Sequence, residues 1–91
     1  MQKESGPTKG RFFLRQNGAE AELTFSITSP SLVIADHTGV PDAFRGQGVG
    51  LRLVEALVAD ARANGYKVMP LCPFVNATRK KHPEWADVFA V

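Results

Sequence analysis

The chain has 91 residues, of which 44% are hydrophobic and 22% charged, and its net charge is +2 at neutral pH. This length and apolar content are typical of one compact globular domain and exclude a disordered or fibrous chain. The small positive excess suits an anionic ligand, but it falls short of the basic stripe that a dedicated nucleic-acid binder carries.

The sequence contains no membrane-spanning or export signal. No apolar run is long enough to cross a bilayer, and the polar residues 1–9 lack the apolar centre of a signal peptide. The single cysteine cannot form an internal disulfide, which fits a reducing compartment. We therefore expect a cytoplasmic protein that has no membrane as a partner.

The N-terminal part of the chain has the spacing of an antiparallel meander. Residues 1–9 are polar and contain Gly, Pro and Ser, so we expect them to be disordered and the domain to span residues 10–91. Residues 11–16 predict a strand, and residues 19–27 alternate apolar and polar side chains as a half-buried strand does. Between them, Asn17-Gly18 is typical of a tight hairpin turn.

After a second turn at Ser29-Pro30-Ser31, the pattern changes to alternating strands and helices. The remaining predicted elements are, in chain order, a buried strand at 32–35 that continues towards 37–40, a helix at 48–64 ended by Asn64-Gly65, a strand at 66–71 and a shorter helix at 75–81. Because a helix separates the last two strands, we expect a right-handed crossover and a parallel pair. The order predicts an α+β fold with helices packed on a single layer of sheet.

The most informative stretch is Arg45-Gly46-Gln47-Gly48-Val49-Gly50, which runs directly into the predicted helix at Leu51. Glycine lets the backbone approach a ligand closely. The first N–H groups of a helix have no internal partners and lie at the positive end of the helix dipole. The stretch therefore predicts a cradle for a phosphate or pyrophosphate.

Two common phosphate-binding motifs do not fit this stretch. A nucleotide P-loop needs a lysine and a Ser or Thr after its last glycine, and neither is present. The dinucleotide fingerprint fits at Gly46 and Gly48, but Leu51 occupies the position of its third glycine. A purely structural interpretation remains, in which the glycines only permit a tight strand-to-helix turn and close packing.

Arg45, Gly48 and Gly50 fit the pattern Arg/Gln-x-x-Gly-x-Gly/Ala, which resembles the pyrophosphate-binding motif of the GNAT superfamily of acyl-CoA N-acyltransferases. The resemblance extends to Asp36-His37-Thr38-Gly39-Val40-Pro41 before the motif. It also extends to Pro70-Leu71-Cys72-Pro73-Phe74-Val75 and His82-Pro83-Glu84-Trp85 after it. It covers roughly residues 11–85 and is strongest for the small single-domain branch of about this length. It implies a reduced GNAT fold, a meander followed by strand, glycine loop, helix, strand and helix.

The resemblance implies an N-acetyltransferase that uses acetyl-CoA as cosubstrate, needs no metal and transfers to an amine acceptor. The acyl-CoA would lie in a cleft where the strand before the glycine loop and the strand after the helix splay apart. The implied cofactor-binding residues are Thr38, Gly39, Val40, Arg45, Gly46, Gln47, Gly48, Val49, Gly50, Leu51 and Asn76. For Asn76, near the start of the last helix, a purely local hydrogen bond is an alternative.

Cys72 and His37 are the candidate catalytic residues. Cys72 would lie near the thioester and act as a transient acyl carrier or as a proton donor to the leaving thiolate. A third interpretation of Cys72 is a small buried apolar side chain. His37 would act as general base, or else hydrogen-bond within the sheet. His82 resembles the His-Pro-Glu-aromatic ending of the small branch, and we assign it a structural role, with Trp85 packing on the core. A zinc site from His37, Cys72 and His82 is not expected, because no close pair of ligands has the required spacing.

The chain also departs from larger members of that superfamily. It lacks their Tyr-x-x-x-Gly-Phe ending, so their tyrosine general acid has no counterpart. Asn17-Gly18 leaves no room for the helical pair that builds their acceptor pocket. We therefore expect an open acceptor side that takes a small amine or, better, a protein lysine, in a monomer or weak dimer. A partner that completes the site is another possibility. The alternative function is a non-catalytic acyl-CoA-binding module or interaction domain.

Overall fold

A computed structural model describes residues 1–91, in which five strands form one sheet in the order β1-β2-β3-β4-β5. The elements are β1 (Gln2–Ser5), β2 (Lys9–Gln16), β3 (Ala19–Ser29), β4 (Leu32–Gly39), α1 (Val49–Asn64), β5 (Lys67–Pro70) and α2 (Pro73–Lys80), with short 3₁₀ turns at Asp42–Phe44 and Pro83–Trp85. Neighbouring strands from β1 to β4 are antiparallel, whereas β5 runs parallel to β4. The predicted meander, the parallel crossover pair and the α+β fold class are confirmed.

The hairpin between β2 and β3 forms as the sequence predicts. Asn17 has φ 51° and Gly18 has φ 79°, the pair of positive values that a two-residue turn of matching twist requires. Gln16 and Ala19 then pair directly across the turn, so the register of both strands is set at this point. Because a shift of one residue would exchange the two faces of the sheet, this turn decides which side chains are buried.

The N-terminal segment differs from the expectation of disorder for residues 1–9. Gln2–Ser5 forms the edge strand β1, which pairs with β2. Lys3 Nζ lies 2.9 Å from Asp60 Oδ2 on α1, and it sits 5.8 Å from the ring centroid of Phe12. The residues of β1 are polar and show no apolar alternation, so the sequence pattern does not predict this strand. Contacts from β2 and α1 order it instead.

The sheet has one face covered by helices, called here the helix face, and one uncovered face, called the open face. The helix face carries the core, to which α1 contributes its buried side chains Val49, Leu53, Val54, Leu57, Val58 and Ala61. Burying one such Val or Leu side chain contributes about 1.5–3 kcal/mol. No helix of the chain combines the length and apolar character needed to cross a membrane.

The open face is shielded by charged side chains instead of a helix. Phe13 is buried although it points away from the core, because the guanidinium of Arg11 lies 4.2 Å and that of Arg15 5.1 Å from its ring centroid. Arg11 also binds Glu20 and Glu22, and its hydrogen bond holds the pKa of Glu20 below the ordinary value. The stems of the two arginines thus replace a missing layer of structure.

The C-terminal residues cover the outer edge of β5. The Val68 N–H donates to the Val88 carbonyl at 2.9 Å, and the Ala90 N–H donates to the Val68 carbonyl at 2.8 Å. Arg62 on α1 binds both carboxylate oxygens of Asp87, at 3.1 and 2.7 Å. This pairing holds the pKa of Asp87 below its ordinary range.

We expect Lys3→Ala to lower the free energy of unfolding by about 1 kcal/mol, because it removes an ion pair and a cation–ring contact. Urea denaturation measures the change. Gln2→Ala is the control in the same strand, since the Gln2 side chain makes no hydrogen bond. Equal effects of the two substitutions would show that β1 contributes nothing through Lys3.

We expect Asp87→Asn to destabilise the protein at neutral pH and to lose this effect in acid. A carboxyl whose folded pKa is depressed stabilises the fold above its unfolded pKa, about 3.9, and stops doing so as the pH falls through the folded value. Urea denaturation at about pH 6 and about pH 2.5 measures the difference from the wild type. Glu55→Gln, which removes an exposed carboxylate outside every ion pair, is the control; an Asp87→Asn effect that stays the same at both pH values would contradict the prediction.

Candidate functional site

β4 and β5 separate at the end of their pairing, and the space beyond this point is called here the cleft. Their pairing ends at Ala35 and Pro70, and a proline has no N–H to continue it. The next N–H, of Leu71, turns back to the Met69 carbonyl at 3.1 Å, and the Cys72 N–H makes a last bond of 2.9 Å to the Ala35 carbonyl. The chain then enters α2 at a second proline, so β5 leaves the sheet at this point.

Beyond this point β4 is paired on one side only. Its residues 36–39 continue along β3, while their other edge faces the cleft. The pairs Thr24↔His37 and Phe25↔Ala35 leave Asp36 as an extra residue, which makes a β-bulge. Because of the bulge, Asp36 and His37 both lie on the open face, where regular alternation would separate them.

The structure brings Thr38 and Cys72 together at the base of the cleft. Thr38 Oγ1 lies 3.3 Å from Cys72 Sγ, on the helix face of the sheet. The Cys72 side chain is only 2% exposed and belongs to the core cluster. The burial agrees with the interpretation of Cys72 as a small apolar core residue, and its catalytic role stays a prediction.

His37 lies elsewhere. It is exposed on the open face, with its ring next to Gly39, and no hydrogen bond of its side chain is recorded. Cys72 lies on the helix face, so the two candidate catalytic residues are on opposite sides of the sheet. The free edge of β4 is the only place that both side chains border, one from each face.

The glycine loop is anchored at both ends and exposed between them. Phe44 before it and Val49 after it are each 2% exposed, whereas residues 45–48 are all exposed. Gly46 has φ 78° and Gly48 has φ 64°, values that other residues adopt only with strain. Two buried side chains therefore hold a tight, outward-facing loop at the start of α1.

This loop presents a group of free backbone donors. The Gln47 N–H is used by the Phe44 carbonyl, and the first helical bond runs from the Arg52 N–H to the Gly48 carbonyl. The N–H groups of residues 46, 48, 49, 50 and 51 have no acceptor within the protein. Arg45 adds a positive side chain that is 81% exposed. Free donors at a helix start are the usual means of holding an anion.

The three positions of the loop require glycine for different physical reasons. A Cβ atom on Gly46 or Gly48 would meet nothing within 4 Å, so neither position is needed for packing. A Cβ atom on Gly50 would lie 2.6 Å from Cζ of Phe74, so this glycine lets α2 approach α1. The close-packing part of the structural interpretation therefore holds for Gly50, while Gly46 and Gly48 permit the tight turn of the exposed loop.

Exposed apolar side chains come from all four segments that border the cleft. They are Val40 after β4, Leu51 in the first turn of α1, Leu71 after β5 and Phe74 in the first turn of α2, with exposures of 40%, 36%, 63% and 42%. The role of Phe74 is absent from the sequence interpretation, because only the folded chain shows it against Gly50.

The remaining candidates have partners of their own. Asn76 is half-buried, and its Oδ1 accepts a hydrogen bond of 2.8 Å from Arg79 Nε. His82 stacks on Trp85 at 4.1 Å between ring centroids and bonds Glu84 at 2.9 Å, which lowers the pKa of that carboxyl. No group of three His, Cys, Asp or Glu side chains is placed to hold a metal ion.

Comparisons with known proteins give the same family in each case. The sequence profile of the family described as GCN5-related N-acetyl-transferase matches residues 11–88 of the chain. Protein NATD1 of Gallus gallus is 28% identical over 85 residues, which cover 91% of this chain and 77% of that protein. A GCN5-like protein of Staphylococcus aureus, solved by NMR, superposes with a TM-score of 0.72 at 34% identity and covers 98% of this chain and 87% of its own.

Proposed function

The chain belongs to the family of GCN5-related N-acetyltransferases, and we propose that it transfers an acetyl group from acetyl-CoA to a primary amine. The observation that supports this proposal is the group of unpaired N–H donors at residues 46–51, placed beside a cleft with one free strand edge. We place the reaction in the cytoplasm, because a lone free cysteine fits a reducing compartment.

The residues around the cleft fit the parts of acetyl-CoA. The free N–H groups of the loop and the positive charge of Arg45 suit its diphosphate. The unpaired edge of β4 at residues 38–40 offers backbone groups to the pantetheine amides, as an added strand would receive them. The exposed apolar side chains around the cleft, among them Leu71 and Phe74, suit the uncharged arm.

The reaction then needs three things from the protein. The amine must lose a proton before its lone pair attacks the thioester carbonyl, and His37 is the exposed base beside the free edge. The growing negative charge on the carbonyl oxygen needs a donor, which a backbone N–H of that edge supplies; one such donor is worth about 2.7–4 kcal/mol of barrier. Holding the reactants together supplies up to ~7–11 kcal/mol more.

Cys72 serves the leaving thiolate in this proposal. Its Sγ is buried and lies against Thr38 Oγ1, which favours a thiol that donates a proton over a thiol that carries the acetyl group. Direct attack of the amine on acetyl-CoA is therefore the route that we propose.

We expect Gly48→Ala to weaken acetyl-CoA binding by about tenfold or more, because an alanine resists the left-handed backbone by about 1–2 kcal/mol and shifts the donors. Calorimetric titration with acetyl-CoA measures the dissociation constant. Gly65→Ala is a matched control, since Gly65 has φ 73°, no neighbour within 4 Å, and lies at the other end of the same helix. Equal affinities of the two variants would refute the cradle.

We expect Cys72→Ala to lower the turnover number about a hundredfold, as loss of a general acid does, while the affinity for acetyl-CoA is unchanged. Cys72→Ser, which keeps a donor of similar size, should recover part of the rate. Mass spectrometry of wild-type protein incubated with acetyl-CoA should show no covalent adduct. An acetylated Cys72 would establish the acyl-carrier route instead, and unchanged turnover in Cys72→Ala would exclude both roles.

A further inference from the structure

A separate cavity, called here the α2 pocket, lies at the C-terminal end of α2. It has a volume of about 340 Å³ and is formed by the last turn of α2, the 3₁₀ turn Pro83–Trp85 and residues 86–91. The 3₁₀ turn is tied to the last turn of α1, because Arg62 donates to the Glu84 carbonyl at 2.9 Å. At 1.5 Å per residue, Val49 at the other end of α1 lies about 20 Å from Arg62. The α2 pocket is therefore separate from the glycine loop and the cleft.

The positive charge at the α2 pocket is not neutralised by an acidic side chain. Arg79 and Lys80 line the pocket and belong to no ion pair, and no acidic residue lines it. The carboxylates nearest in sequence have partners of their own, since Glu84 is bound by His82 at 2.9 Å and Asp87 by a guanidinium of α1 at 2.7 Å. The two cations of the pocket therefore complement an anion from outside the protein.

Arg79 is held in an orientation that leaves its binding groups free. Its Nε donates to Asn76 Oδ1 at 2.8 Å, one turn earlier on α2, and this bond restrains the guanidinium. Its two terminal nitrogens make no hydrogen bond within the protein. A guanidinium with its terminal nitrogens free binds a carboxylate through two parallel hydrogen bonds, which are stronger than bonds between neutral groups.

The rest of the α2 pocket is mostly apolar. Its apolar lining consists of Trp85, Ala86, Phe89 and Val91. Trp85 and Phe89 belong to the core cluster, so this part of the lining is rigid. His82 stacks on Trp85 with ring centroids 4.1 Å apart and an angle of 12° between the planes, which holds the indole in one orientation. A ligand whose anionic group carries only polar substituents would leave this lining uncovered.

We propose that the α2 pocket binds a small organic acid, with its carboxylate on Arg79 and its apolar body against Trp85 and Phe89. The volume is at the lower end of the range of small-molecule sites, about 300–1,000 Å³, so it suits one ring or a short alkyl chain. The inference goes beyond the proposed acetyl transfer and does not depend on it. Because the pocket lies at the far end of α2 from Phe74 and the cleft, the acid and acetyl-CoA bind without displacing each other.

Titration with 3-phenylpropanoate tests the proposal, and the fluorescence of Trp85, the only tryptophan of the chain, is the readout. We expect a saturable change in the wild type and a dissociation constant about tenfold or more higher in Arg79→Gln, as loss of a charged hydrogen bond causes. Arg52→Gln is the matched control, since it removes the same charge from an exposed position on α1, and it should leave the constant unchanged. No saturable change in the wild type, or equal constants in the wild type and Arg79→Gln, would overturn the proposal.

Further probes separate the parts of the ligand. 3-Phenylpropanamide lacks the charge and acetate lacks the apolar body, so each should bind about tenfold more weakly or worse. The end-capped dipeptide Asp-Phe carries the same groups on a peptide, and tighter binding of the dipeptide than of the free acid would overturn the assignment to a small acid. Saturating acetyl-CoA should leave the dissociation constant of 3-phenylpropanoate unchanged. Competition between the two would show a shared site and refute the separate pocket.

Discussion

The hydrogen bond from the Cys72 N–H to the Ala35 carbonyl marks the constraint on which the site depends. β4 and β5 pair as far as Ala35 and Pro70. Pro70 has no N–H, the Leu71 N–H turns back to the Met69 carbonyl, and Pro73 begins α2, so β5 does not follow β4 any further. A free strand edge is normally a hazard for a small protein, because it invites pairing with other chains. Here the edge borders the exposed apolar residues and the loop of free donors, and in the proposed function bound acetyl-CoA completes it.

The two faces of the sheet carry different parts of the candidate site. The helix face carries the core, Cys72 and the loop that leads into α1, which together suit the acyl donor. The open face carries Asp36 and His37. The β-bulge turns these two consecutive side chains to the open face, while Thr38 returns to the helix face. In the proposed function, the reaction takes place between the two faces, at the free edge of β4.

Stability and function use different residues within short distances. Gly50 permits the close approach of Phe74 and so belongs to the packing of the two helices, whereas Gly48 leaves open space and shapes the donors. No helix covers the open face, and the guanidinium groups of Arg11 and Arg15 shield Phe13 there. Their ion pairs with Glu20 hold this arrangement in place.

By itself, the sequence determined the elements and the glycine loop, because both are local properties. Alternation in residues 19–27, the Asn17-Gly18 turn and the helical spacing after Gly48 depend on neighbours a few positions away, and the structure confirms each of them. Tertiary structure alone decided that residues 2–5 form the strand β1, because contacts from α1, a distant part of the chain, hold its polar residues in place. It also decided the bulge at Asp36 and hence the face on which His37 lies, because the register of two strands fixes both and no local pattern records it.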